Sequence, residues 1–134
     1  MDPTAHLLLA VLAHAGLALA LHELGHAAAG WMVGGQVRWV GWRRHPGQSP
    51  WDVGVEVKLG ETSPERPRRR TVVLLSGPLA NLACAAALFM LPVPLSVPGG
   101  AVHLWCGLIN LWPHGGPWPS DGAQVLSLWR RRSA

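Results

Sequence analysis

From Thr4 to Ala29 this chain carries one charged residue, Glu23, among side chains that are otherwise apolar, small or neutral. A run of that length crosses the roughly 30 Å hydrocarbon core of a bilayer as a helix with some tilt. It is the strongest constraint in the sequence, because in lipid only helices and closed barrels satisfy their own backbone groups. Asp2 and Pro3 ahead of it read as an N-cap and a first-turn proline. No basic n-region precedes the apolar stretch, and the pattern continues beyond a signal-peptide core. The segment at about 4–29 is therefore expected to be a retained transmembrane helix.

Two further apolar segments follow. Residues 71–91 contain no charge and reach about 31 Å at helical rise, whereas 101–112 are shorter, about 18 Å. Inside the second, Gly77-Pro78 interrupts the pattern and Asn81 adds a polar amide; small-residue helix packing accounts for both without any function. Composition agrees with a membrane protein: 13% of residues are charged and mean hydropathy is +0.22, against about 25% charged in soluble domains. With 134 residues there is room for one domain. Cys84 and Cys106 stand singly in apolar runs and make no disulfide framework or Cys-x-x-Cys metal site.

Between the first two segments the texture changes. Trp51, Val53, Val55, Val57 and Leu59 alternate with Asp52, Gly54, Glu56 and Lys58, and Gln36 to Trp42 is short and β-prone. With turn residues at His45 to Pro50 between them, the pattern predicts a β-hairpin over about 35–59. A polar connector from Glu61 to Arg70 leads to the second segment, and an uncharged Pro/Gly loop over 91–100 leads to the third. After Trp112 a Pro- and Gly-rich stretch precludes regular helix, and a last helix is expected over 121–129. The fold expected is mostly α and membrane-embedded, with three transmembrane segments and a membrane-associated hairpin between the first and second.

The arginines orient it. Arg38/Arg43/Arg44, Arg66/Arg68/Arg69/Arg70 and Arg130/Arg131/Arg132 each flank an apolar segment. Topology explains them better than a nucleic-acid surface, and no nucleic-acid partner is expected. Placing all three clusters in the cytoplasm puts the N-terminus outside, the loop at 91–100 outside and the C-terminus inside. Trp31, Trp39, Trp42, Trp51, Trp112, Trp118 and Trp129 then fall at the inner boundary, where amphipathic rings collect.

Near that boundary, about 25 Å along the first helix, lies His22-Glu23-Leu24-Gly25-His26. On a helix His22 and His26 project from one face, as two ligands of one Zn²⁺ would, with Glu23 beside them as base for a water. Two packed histidines and a surface glutamate would look the same in isolation. Ionisable groups inside an apolar span are nevertheless costly unless they serve a site. His14 lies two turns away, too far to join the same ion, and His6 sits near the membrane edge. A third ligand can come from Glu56, Glu61, Glu65 or Asp121; Asp121 suits best by depth and by its place after a broken helix.

His22-Glu23-Leu24-Gly25-His26, then Ser76-Gly77-Pro78-Leu79-Ala80-Asn81-Leu82, then Asn110-Leu111-Trp112-Pro113 leading to Asp121-Gly122, resemble the three signatures of the site-2 protease family (peptidase family M50). The resemblance spans nearly the whole chain. It implies an intramembrane zinc metalloprotease that cuts within or beside a transmembrane segment of a membrane-tethered protein, in a bacterial cell membrane, with its active site near the cytoplasmic face. His22, His26 and Asp121 would bind zinc, Glu23 would be the catalytic glutamate, and Asn81, Gly77 and Pro78 would contact substrate. The hairpin resembles the family's membrane-associated β-loop, which is proposed to hold the substrate strand. The chain departs from the family between Pro113 and Asp121, where the stretch is longer and includes His114, an alternative ligand. The rival expectation is a catalytically silent membrane relative that binds a partner helix or zinc without cutting. Oligomeric state and natural substrate are not legible.

Overall fold

The computed structural model describes residues 2–43, 52–60, 65–116 and 119–131, without the side chains of 39–43, 52 and 53. The turn at His45 to Pro50, Arg44, Trp51, Glu61, Trp118 and Arg132 lie outside them. The order is α1 (Pro3–Met32), β1 (Gln36–Arg43), β2 (Asp52–Lys58), α2 (Arg66–Phe89), α3 (Ser96–Leu111) and α4 (Asp121–Arg130). The protein is mostly helical with one small sheet.

Helix α1 begins where its cap demands: Asp2 accepts a hydrogen bond from the Thr4 N–H at 3.3 Å, and Pro3 opens the first turn. It ends where Gly34 turns into the left-handed region at φ 76°, with the Gly35 N–H returned to the Gly30 carbonyl at 2.8 Å. That closure satisfies the last carbonyls of the helix and sends the chain directly into β1. Strands β1 and β2 pair antiparallel, with Val37 opposite Val57 and Trp39 opposite Val55, and the register shifts between Val40 and Arg43. The methyls of Val37 and Val57 close on Gly30, so the hairpin lies against the C-terminal part of α1.

Helix α2 packs against α1, α3 and α4. Where α1 and α2 meet, Gly25 faces Ser76 and Gly77 so closely that a Cβ would stand 2.7 Å from the Ser76 carbonyl oxygen. Asn81 ties three helices at once. Its Nδ2 donates to the Ala18 carbonyl of α1 at 3.1 Å, and its Oδ1 accepts from Nδ1 of His103 on α3 at 2.8 Å. His103 in turn meets the ring of His14 edge-on, with centroids 5.6 Å apart. All the groups of Asn81 are buried, where such bonds are worth most and their loss costs most.

Two boundaries differ from expectation. α2 starts at Arg66, inside the polar connector, because Pro67 suits a first helical turn and the Arg69–Glu65 pair at 2.9 Å supports it. α3 starts at Ser96, inside the expected loop at 91–100. Pro98 is tolerated in its first turn, and Gly99 and Gly100 lie against the rings of His14 and Phe89. Pro78 is accommodated within a continuous α2.

Helices α1 and α2 are each long and apolar enough to cross a membrane. α3, with 16 residues, reaches about 24 Å, short of a full hydrocarbon core. Only 6% of the most apolar window of α1 is buried, and Leu8, Leu12, Leu17, Leu19 and Leu24 all face outward.

Replacing Asn81 with Leu strands the buried His103 Nδ1–H and removes the second hydrogen bond to the Ala18 carbonyl, which keeps its bond within α1. The expected cost is about 1–3 kcal/mol, read as a lowered unfolding midpoint of the detergent-solubilised protein. An unchanged midpoint would remove Asn81 from the packing account.

Candidate metal centre

The i, i+4 spacing on α1 stacks His22 and His26 with ring centroids 4.6 Å apart and planes nearly perpendicular, and brings their Nε2 atoms to 3.0 Å. Asp121 completes a triangle: its Oδ2 lies 3.1 Å from His22 Nε2 and 3.5 Å from His26 Nε2. All three residues are buried. An ion bonded at about 2.1 Å would separate its donors by about 3.0 Å in an octahedron and about 3.4 Å in a tetrahedron. The observed edges match that range, so this group can hold a metal ion.

The ring orientation of His26 is not left to chance. Its Nδ1 sits 2.6 Å from the Val73 carbonyl oxygen of α2. A carbonyl only accepts, so Nδ1 carries the proton and Nε2 is left with its lone pair toward the triangle. This is the outer-shell arrangement that prepares an imidazole as a ligand. His22 Nδ1 is buried with no partner among the described residues. Gly77 keeps the ligand face of His26 clear, since a Cβ there would stand 2.6 Å from Nε2.

After α3, contacts of Ser120 with described residues deliver Asp121. Ser120 Oγ donates to the Trp112 carbonyl at 2.6 Å and accepts from the Ala123 N–H at 3.2 Å, and the Ser120 N–H bonds the His114 carbonyl at 3.3 Å. Ser120 is therefore the N-cap of α4, and Asp121, one residue on, is free to turn inward. Its carboxylate gains from the positive helix end. Gly122 lies against the Leu111 carbonyl, where no side chain fits.

Glu23 stands beside the triangle, half-buried, and its Oε2 accepts the backbone N–H of Val55 on β2 at 2.7 Å. The other third-ligand candidates go elsewhere: Glu56 is 3.8 Å from Lys58, and Glu65 pairs with Arg69. His114 is exposed beside the Trp112 carbonyl and is not part of the triangle. Of the residues expected to contact substrate, Gly77 borders His26, while Pro78 and Asn81 are enclosed between helices. Asn110 caps back onto its own helix at the Cys106 carbonyl.

The carbonyl of Val73 and the N–H of Val55 escaped the sequence reading, since every residue has such groups and only proximity distinguishes them. Ser120 did carry a signal, a cap-type residue directly before Asp-Gly. No family model matches this chain, and no curated protein matches it. The centre is carried by its own geometry.

Asp121→Ala is expected to lose most bound metal, and Gly77→Ala to weaken binding about 10–100-fold by tilting His26. Competitive metal titration of the purified variants measures both. Full occupancy in Asp121→Ala would remove it as a ligand.

Proposed function

We propose that this protein is an intramembrane zinc metalloprotease of the site-2 protease type, hydrolysing a peptide bond within or next to a transmembrane segment of a membrane-tethered substrate. The observation that carries the reading is the convergence of His22 and His26 with Asp121, a residue 95 positions from His26, while Glu23 of the same motif reaches a strand edge. Two imidazoles and a carboxylate suit zinc, and the adjoining glutamate is what a hydrolytic zinc site needs.

Bound there, zinc would acidify a water and polarise the scissile carbonyl. His26 is held in the correct tautomer by Val73, and Asp121 and His22 orient around it. Glu23 takes a proton from the attacking water as oxygen adds to the carbonyl carbon. It then returns that proton to the amide nitrogen as the C–N bond breaks. A transmembrane helix hides its carbonyls in internal hydrogen bonds, so the substrate must be locally unwound before this can occur. The β-hairpin beside Glu23 supports such a step, since a strand edge pairs with extended chain.

The membrane setting belongs to the same proposal. The outward leucines of α1 suit lipid rather than water, and α3 would serve as a third, shorter span. With the arginine clusters inside, the N-terminus lies outside a bacterial cell membrane, and the centre opens near the cytoplasmic face.

A second reading has one observation in its favour. Glu23 is engaged by Val55, as it would be in a silent relative that binds zinc or a partner helix without cutting. Glu23→Gln separates the two. In detergent with single-span peptides, the wild type is expected to cleave, and Glu23→Gln to keep its zinc while losing at least about 100-fold in rate. Absence of cleavage by the zinc-loaded wild type across a broad peptide panel would favour the silent reading.

A further inference from the structure

Helix α4 presents two faces. Asp121, Val125 and Leu128 recur at helical spacing and share the side turned to the bundle, where Asp121 is buried and the other two are half-buried. Trp129 beside them donates from Nε1 to Thr71 Oγ1 on α2 at 3.2 Å. Ala123, Leu126, Ser127 and Arg130 follow the same spacing on the opposite side. With Pro113, Gly115 and Arg131 they line an open cavity of about 400 Å³, between α4 and the segment that leaves α3.

The two ends of this cavity differ in chemistry. Near the start of α4 the side chains of Pro113, Ala123 and Leu126 are apolar. The other end, about 10 Å along the helix, carries Arg130 and Arg131. A guanidinium keeps its charge throughout the accessible pH range. Among the described residues, no carboxylate lies within ion-pair distance of either arginine. Ser127 Oγ already donates to the Gln124 carbonyl at 2.8 Å, so recognition of charge falls to the arginines. Cations that only marked one side of a membrane, or only met the last carbonyls of α4, would need no cavity beside them. The volume lies at the lower end of the range that small ligands occupy, about 300–1,000 Å³. Exposed Trp112 and Trp129 flank the region, as amphipathic rings do at the level of lipid headgroups.

We propose that this cavity seats an anionic glycerophospholipid of the cytoplasmic leaflet. Its phosphodiester pairs with Arg130 and Arg131, and the start of an acyl chain lies along Leu126, Ala123 and Pro113. A soluble phosphate would satisfy the arginines but leave the apolar end in water. A zwitterionic lipid would cover the apolar end but bring its own cation to two arginines. A lipid of net negative charge suits both ends. The inference rests on the membrane setting proposed above and is independent of the hydrolytic chemistry.

The test is native mass spectrometry of the full chain in neutral detergent, titrated with dioleoyl phosphatidylglycerol or dioleoyl phosphatidylcholine. Phosphatidylglycerol is expected to bind at least about fivefold more tightly than phosphatidylcholine. An arginine beside anionic lipid contributes about fivefold, so Arg130→Gln/Arg131→Gln is expected to weaken phosphatidylglycerol about 25-fold. Arg38→Gln/Arg68→Gln removes the same charge from exposed positions elsewhere, and is expected to change the affinity by less than about twofold. Equal losses in the two double variants would reduce the effect to unspecific attraction and overturn the proposal. Equal affinities for the two lipids would overturn it as well. Inorganic phosphate is expected not to displace the lipid; displacement that depends on Arg130 and Arg131 would assign the cavity to a soluble anion instead. Leu126→Asn keeps both arginines but removes an apolar wall, and is expected to weaken the lipid about fivefold. Wild-type affinity in a folded Leu126→Asn would overturn the seat for the chain. Should that variant not fold, the exposed arginine pairs still decide. Recovery of the wild type from the soluble fraction of lysed cells would count against the membrane setting. A membrane-bound chain without selectivity through Arg130 and Arg131 would count against the cavity alone.

Discussion

The contact between His26 on α1 and the Val73 carbonyl on α2 holds the centre together. It exists only because the two helices approach at Gly25 and Gly77, where neither presents a side chain. The close approach brings the carbonyl within 2.6 Å of Nδ1, which settles where the imidazole proton sits. With that proton on Nδ1, the lone pair of Nε2 points to His22 and Asp121. A larger side chain at either glycine would move the helices apart and release the ring. Helix packing and ligand chemistry are thus the same constraint seen from two sides.

A second layer of buried polar contact lies along the same helices. Asn81 joins the Ala18 carbonyl to His103, and His103 meets His14. In a low-dielectric surrounding an unpaired amide or imidazole is expensive, so such a network is stable only when its members are matched. Asn81 has both ends of its amide engaged, which explains why a polar residue sits in an apolar segment without facing a cavity. It fixes α1, α2 and α3 relative to one another at a level just above the metal group.

The glutamate of the motif behaves differently from its neighbours. His22 and His26 are buried and turned toward Asp121, while Glu23 leans to the hairpin and finds a backbone donor there. Sheet and helix meet at Gly30, against Val37 and Val57, so the position of β2 is tied to the end of α1. The hairpin is therefore an integral wall of the site and not a mere connection between helices.

Much of this was legible in the chain because it depends on local periodicity. The long apolar stretch specified α1, strict alternation specified β2, and the four-residue separation of His22 and His26 placed two imidazoles on one face. The starts of α2 and α3 were less legible, since prolines that look like breakers at Pro67 and Pro98 are compatible with a first helical turn. Asp121 could be singled out by depth, but not its route to the histidines, which depends on Ser120 bonding Trp112 and on Gly122 fitting against Leu111. The sequence by itself determined the elements and the donors they carry, because helix and strand geometry are set within a few residues. Only the tertiary structure decided the proton position on His26, the third member of the triangle and the partner of Glu23. Those rest on backbone groups from distant segments, and a backbone carbonyl or N–H has no letter in the sequence.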